Sequence, residues 1–225
     1  MENETIKQFN EQGYCIIRSA ISSELRDFVT QYALFNEMQN FSSEKETALN
    51  NAQVPNAHSK YADPAMETLL LLLHNTIEEN TGLKVHPTYS YFRVYRNGDS
   101  LKNHRDREAC EISATLCFNY SYDEYKWPIY MGNTPVNLNP GDLAIYKGCD
   151  VYHRREEFLP SSDSWHVQGF FHYVNQDGPY ADHKFDRRSG IGESLNTKNI
   201  KTDGYITSYI ESVVAKSYIE VTDER

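Results

Sequence analysis

Within residues 1–84 the helical spacing of apolar positions comes in separate stretches, and from Val85 to about Val174 apolar positions alternate along the chain. Residues 6–12 predict a short helix that stops at Gly13, and residues 14–17 predict a strand of aromatic and β-branched residues. Ser22 or Ser23 is placed to cap a helix running to about Met38, with Leu25, Phe28, Val29, Tyr32 and the Leu34/Phe35 pair on its apolar stripe. Residues 39–65 are polar and irregular, and a loop of that length inside a compact domain is either filler or a lid. Within it, His58, Ser59, Lys60 and Tyr61 are candidates for substrate contact. A second helix is expected from Pro64 or Ala65 to Glu79, and its leucine run 69–73 is apolar on every side, which predicts deep burial.

In the alternating half, Tyr89, Tyr91, Arg93 and Tyr95 share one face of a strand and Ser90, Phe92 and Val94 the other, with a turn at Arg96-Asn97-Gly98-Asp99. Further strands are expected over 111–120, 127–131, 134–138, 143–146, 150–154 and 166–174, with Asn139-Pro140-Gly141-Asp142 as a turn. Short strands separated by turns, following two helices, predict a mainly β fold with flanking helices and a double-stranded β-helix (jelly-roll or cupin-like) core. The chain reads as a single domain over 1–225, with a helical N-terminal region over 1–84, the core over 85–175, and a tail and helix over 176–225. In the tail, Asp203 can cap a helix over 204–218 whose apolar stripe packs on its own sheet or on a second copy, so a monomer or homodimer is expected.

Composition narrows the function classes. With 39% hydrophobic and 24% charged residues the chain is an ordinary globular one, enriched in tyrosine, of which there are 17. A formal net charge of −10 argues against holding nucleic acid by bulk electrostatics. The longest apolar run is too short to span a bilayer. Cys15, Cys110, Cys117 and Cys149 form no CxxC pair, and the first residues carry no basic segment followed by an apolar run, so reduced thiols and a cytoplasmic location are expected. None of Cys110, Cys117 and Cys149 has an evident base beside it in sequence, and each reads as a small buried hydrophobe rather than a nucleophile.

Candidate chemistry centres on His104-Arg105-Asp106. Alternate residues of an extended segment point the same way, so His104 and Asp106 offer an imidazole and a carboxylate to one point in space. A third donor from a distant strand, with His153 the candidate, completes the 2-His-1-carboxylate face that leaves positions open on iron(II). Taken alone, His-x-Asp is a common tripeptide that need not bind metal. Arg105, Arg107 and Arg154 add positive charge nearby, either for anions or in pairs with Glu108, Glu111 and Glu156. His172, like His166, reads as a core or rim histidine or as a site residue.

Three stretches carry a resemblance: FNEQGYCIIRSAISSEL, YFRVYRNGDSLKNHRDREACEIS, and LNPGDLAIYKGCDVYH. Together, in this order and over roughly residues 8–175, the chain resembles the iron(II)- and 2-oxoglutarate-dependent dioxygenases, within them the prolyl-4-hydroxylase-like group. The resemblance implies that His104, Asp106 and His153 hold Fe(II), with 2-oxoglutarate as cosubstrate and O2 as oxidant. It further implies hydroxylation of an unactivated C–H in a peptide residue, amino acid or small metabolite, coupled to decarboxylation of 2-oxoglutarate to succinate. Related halogenases carry a small residue where Asp106 stands, so its presence favours oxidation over halogenation. Desaturation, cyclisation and epimerisation are the neighbouring alternatives, and a non-catalytic cupin-like metal- or ligand-binding module is the competing class.

The family commonly places Arg or Lys about nine to thirteen residues after the distal histidine, to hold the far carboxylate of the cosubstrate. Here that window has neither; it ends at His166, with Gln168 two residues on. His166, Arg155 and Arg93 are therefore the candidate anchors, and Tyr95, nine residues before His104, is a candidate hydroxyl donor.

Overall fold

The computed structural model describes residues 3–42, 53–55 and 57–192. The first helix, α1 (Glu4–Gln12), starts where the Asn3 side chain accepts the Thr5 N–H and stops at Gly13, whose φ of 81° is left-handed. Strand β1 (Tyr14–Ile17) follows, then α2 (Ser23–Ser42), one turn longer than expected. The expected single helix over 64–79 is two, α3 (Pro64–Leu72) and α4 (His74–Thr81), meeting at Leu73. Asp63 caps α3 with Pro64 at its first position, and Gly82 closes α4.

A correction concerns the stretch expected to be irregular between 39 and 65: it contains strand β2 (His58–Tyr61), antiparallel to β3 (Val85–Arg96). All four β2 residues are half-buried, as suits an edge strand, and so the segment lacks the apolar alternation by which buried strands are found. The remaining strands are β4 (Leu101–His104), β5 (Ile112–Tyr120), β6 (Ile129–Met131), β7 (Thr134–Val136), β8 (Leu143–Lys147), β9 (His153–Arg155) and β10 (Trp165–Asn175). Strand β9 begins later than the expected 150 because the Asp150 and Val151 N–H groups fold back onto the Lys147 carbonyl in a turn.

Two antiparallel sheets face one another, one ordered β1-β8-β5-β10-β3-β2 and the other β4-β9-β6-β7. Alternation sorts the large sheet's side chains. Phe92, Val94, Ala114, Leu116, Leu143, Ile145, Val167 and Phe171 pack outward on Phe9, Val29, Met66, Leu70 and Ile77 of the helices. On the opposite face, Cys117, Ala144 and Tyr146 pack with Ile129 and Met131, and Tyr95 packs with Trp127 and Phe158. At roughly 1.5–3 kcal/mol for each fully buried large apolar side chain, the helix layer holds the large sheet firmly, which leaves the inter-sheet space free to take polar groups.

Past β10 the chain crosses back as a 3-10 segment, Ala181–Arg187, in which Phe185, Asp186 and Arg187 all have positive φ of 56–58°. What holds this strained backbone is a buried ion pair from Arg188 to Glu67 of α3 at 3.0 Å, with the Gly192 N–H on the same carboxylate at 2.7 Å. The tail helix expected over 204–218 lies outside the described residues. No helix among the described residues is long and apolar enough to cross a membrane.

Candidate metal centre

Strands β4 and β9 pair with His104 opposite His153, and the two imidazoles lie with ring centroids 4.2 Å apart. Asp106 stands just past β4, its N–H bonded to the Gly148 carbonyl at 2.9 Å. Its Oδ1 is 3.6 Å from His104 Nε2 and 3.5 Å from His153 Nε2, so the three donor atoms converge. Each histidine turns its Nδ1 to a backbone carbonyl, His104 to Lys102 at 2.7 Å and His153 to Val151 at 3.1 Å. With Nδ1–H donating there, Nε2 keeps its lone pair for a metal. If the two Nε2 atoms carry protons instead, they donate to Asp106, and that hydrogen bonding outweighs the burial that alone raises its carboxyl and holds it well below the usual carboxylate range; a cation bound there takes the place of those protons. Two neutral nitrogens and one anionic oxygen on one side of an open cavity are a donor set that fits a divalent transition ion with positions to spare.

That cavity is about 550 Å³ and also meets Tyr89, Tyr91 and Arg93 of β3, Leu101 of β4, Tyr146 of β8, and Phe170 and His172 of β10. Its volume lies within the range of small-molecule sites. Arg93 is buried, donates from Nη1 to the Tyr95 hydroxyl at 2.9 Å, and lies 5.3–5.6 Å from the ring centres of Tyr91, Tyr95 and Phe170. At the mouth, Asp186 takes two hydrogen bonds from the Arg107 guanidinium, each 2.7 Å, and one from the Tyr61 hydroxyl at 2.5 Å, while Tyr61 stacks on Tyr89.

The other candidate anchors stand elsewhere. Arg155, His166 and Tyr95 are buried but do not line the cavity. Arg155 donates to the Trp127 carbonyl at 2.7 Å and to Gln168 Oε1 at 3.3 Å, and lies 4.5 Å over the Trp127 ring. Its Nε has no hydrogen-bond partner among the described residues. His166 bonds through Nε2 to Gln168 Oε1 at 2.7 Å and through Nδ1 to the Tyr122 hydroxyl at 2.8 Å. Burial, helped by Arg155, pushes the His166 pKa down to about 3, so it is neutral. Of the loop residues proposed for substrate contact, Tyr61 lines the cavity and His58, Ser59 and Lys60 do not.

Sequence reasoning missed Asp186 as a cavity residue and left His172 undecided. Asp186 comes from a segment with no periodicity, so nothing in the sequence marks it. For His172 a signal existed: it alternates with His166, Gln168 and Phe170 on the inward face of β10. Cys15, Cys110, Cys117 and Cys149 are all free thiols; burial pushes Cys15 and Cys117 up to about 12 and Cys149 to about 11, which suits inert thiols.

No family model matches the sequence, and no curated protein does. The fold has many counterparts among solved structures. A prolyl-4-hydroxylase from Pseudomonas putida superposes with a TM-score of 0.55 at 16% identity, covering 75% of this chain and 97% of its own. The non-heme alpha-ketoglutarate-dependent epimerase SnoN from nogalamycin biosynthesis gives 0.61 at 11% identity over 85% and 90%. HygX from Streptomyces hygroscopicus, solved with nickel and 2-oxoglutarate bound, gives 0.58 at 10% identity over 79% and 88%. The chain thus shares the double-stranded β-helix fold of prolyl-4-hydroxylases and other 2-oxoglutarate-dependent enzymes.

Proposed function

We propose that the protein is a non-haem Fe(II)/2-oxoglutarate-dependent oxygenase of one domain, acting in the cytoplasm on a C–H bond of a peptide residue, amino acid or small metabolite. The observation that carries this reading is the convergence of His104 Nε2, His153 Nε2 and Asp106 Oδ1 at the wall of a cavity that also contains a buried arginine. His104, Asp106 and His153 would hold Fe(II), which with O2 and 2-oxoglutarate would supply the oxidation, with succinate and CO2 as coproducts.

The residues of this chain do the rest. The Lys102 and Val151 carbonyls fix the ligand tautomers. Arg93 supplies the cation for the far carboxylate of 2-oxoglutarate, because it is the candidate anchor that reaches the cavity. Tyr95 holds Arg93 in place through its hydroxyl rather than contacting the cosubstrate. Tyr61, Tyr89 and the Arg107–Asp186 pair form the substrate side of the cavity and narrow its contact with water. Hydroxylation is the proposed outcome.

The test is anaerobic addition of Fe(II) and 2-oxoglutarate, followed by admission of O2. A metal-to-ligand charge-transfer band and O2-dependent succinate are expected from the wild type and neither from Asp106→Ala. Absence of both in the wild type sinks the oxygenase reading. Once a substrate is known, a product heavier by one oxygen supports hydroxylation; an unchanged mass points to epimerisation, and loss of two hydrogens to desaturation or cyclisation.

A further inference from the structure

Behind Asp106, on the side away from the two ligand histidines, stands a hydrogen-bonded chain. Ser113 Oγ of β5 is 2.7 Å from Asp106 Oδ2, 3.0 Å from the Cys110 carbonyl and 3.0 Å from His172 Nδ1. Ser113 is fully buried, and His172 is 6% exposed. A hydroxyl has one hydrogen to give, and a carboxylate oxygen can only accept. The shortest contact and the anionic acceptor coincide at Asp106, so Ser113 donates to Oδ2. His172 Nδ1 must then be the donor to Ser113 Oγ, because an unprotonated Nδ1 would face the hydroxyl oxygen lone pair to lone pair. Nε2 of His172 is left unprotonated; it has no hydrogen-bond partner among the described residues, and the ring lies on the cavity wall.

Backbone packing reserves this arrangement. A Cβ added at Gly148 would lie 2.8 Å from Asp106 Oδ2, 2.6 Å from Ser113 Oγ and 2.1 Å from the Cys110 carbonyl. The absence of a side chain at 148 is therefore what lets the carboxylate and the hydroxyl meet.

We infer that Ser113 and His172 are positioning residues that pin Oδ2 of Asp106, so that Oδ1 alone faces the metal, and that His172 thereby offers a lone-pair acceptor to an N–H or O–H group of the substrate. The inference rests on the proposed ligand set. It explains why a polar pair is buried next to a ligand rather than an apolar one, since an unheld carboxylate can rotate and chelate the metal through both oxygens, closing a position that the cosubstrate and O2 need.

The test uses the full chain freed of metal, with Mn(II) as the probe. Outer partners of ligand residues are worth about 10- to 100-fold in metal affinity, and Ser113→Ala is expected to weaken Mn(II) binding by that factor. Ser113→Thr, which keeps the hydroxyl, is expected to recover most of it. In the wild-type apoprotein, long-range nitrogen–proton NMR is expected to show His172 as the Nδ1–H tautomer. Unchanged Mn(II) affinity in Ser113→Ala, or the Nε2–H tautomer in the wild type, overturns the inference. Asp106→Ala separates the two levels: if it too leaves Mn(II) affinity unchanged, the ligand reading itself has failed, whereas loss there with no effect of Ser113→Ala rejects the relay alone.

Discussion

Replacing Arg93 by Met tests the cosubstrate site most directly. Arg93 is 3% exposed, borders the cavity, and is framed by Tyr91, Tyr95 and Phe170. A hydrogen bond to a charged group contributes about 1.5–3 kcal/mol net, and about 1.4 kcal/mol is tenfold in affinity. Loss of Arg93 should therefore weaken 2-oxoglutarate binding by about 10- to 150-fold. Met preserves the length and apolar stem, and loss of the bond to the Tyr95 hydroxyl should cost about 1–3 kcal/mol of stability. The fold should survive, which a thermal melt checks. Isothermal titration of 2-oxoglutarate into the Mn(II)-loaded protein without O2 gives the affinity free of turnover. Arg155→Met is the control: it removes the bonds to the Trp127 carbonyl and Gln168, costing about 1–3 kcal/mol of stability, with little change in affinity. An Arg93→Met protein that binds 2-oxoglutarate as the wild type does, or an Arg155→Met protein that shows the larger loss of affinity, would refute the assignment.

Three further outcomes follow from other regions of the molecule. Gly148→Ala drives a Cβ to within 2.1 Å of the Cys110 carbonyl, so it should cost about 1–3 kcal/mol in denaturant unfolding and also weaken Mn(II) binding; an unchanged midpoint would show that the β8–β9 turn relaxes freely. Glu67→Ala strands the buried Arg188 and should cost about 3–5 kcal/mol, loosening the segment that carries Asp186; limited proteolysis should then cut near residue 186 faster, and equal rates would count against that coupling. His166, neutral in the fold with its pKa pushed from 6.5 down to about 3, is charged in the unfolded chain below pH 6.5. The unfolded state thus binds the extra proton across that window, and stability falls with a slope approaching about 1.4 kcal/mol per pH unit as pH drops from about 6.5 towards 3. His166→Gln should remove that component from the apoprotein's pH–stability curve, and an identical slope would contradict a buried neutral imidazole.

The features legible in the sequence are those where one periodicity governs many residues. Alternation along β3 assigned Tyr89, Tyr91, Arg93 and Tyr95 to one face without reference to any partner strand, and the structure has those side chains inward and Phe92 and Val94 against the helices. Arg155 shares the alternation of His153 and so turns inward, yet alternation cannot give depth: Arg155 ends against the Trp127 ring and does not line the cavity. Strand β2 was opaque because an edge strand with half-buried residues needs no apolar pattern; only its register against β3 defines it. Asp186 was opaque for a different reason. Its position depends on three consecutive left-handed residues held by the distant Glu67–Arg188 pair, a tertiary constraint with no local signature.

The missing cation on the last core strand has a structural counterpart in its neighbours. Gln168 stands two residues past the window where the family's basic residue is expected, and the register of β10 against β3 sets it directly opposite Arg93. From the other sheet, Arg155 of β9 reaches the same Gln168 side chain at 3.3 Å. Two buried arginines thus neighbour Gln168, Arg155 through a hydrogen bond and Arg93 through the strand register. A lysine or arginine at 168 would place a further positive charge against the Arg155 guanidinium, and buried like charges repel. The amide instead accepts from Arg155 and donates from Nε2 to Thr115 Oγ1 at 2.7 Å, which ties the strand into a satisfied network. The neutral amide at 168 thus lets two arginines stay buried near it, Arg155 bonded to it and Arg93 opposite it in register.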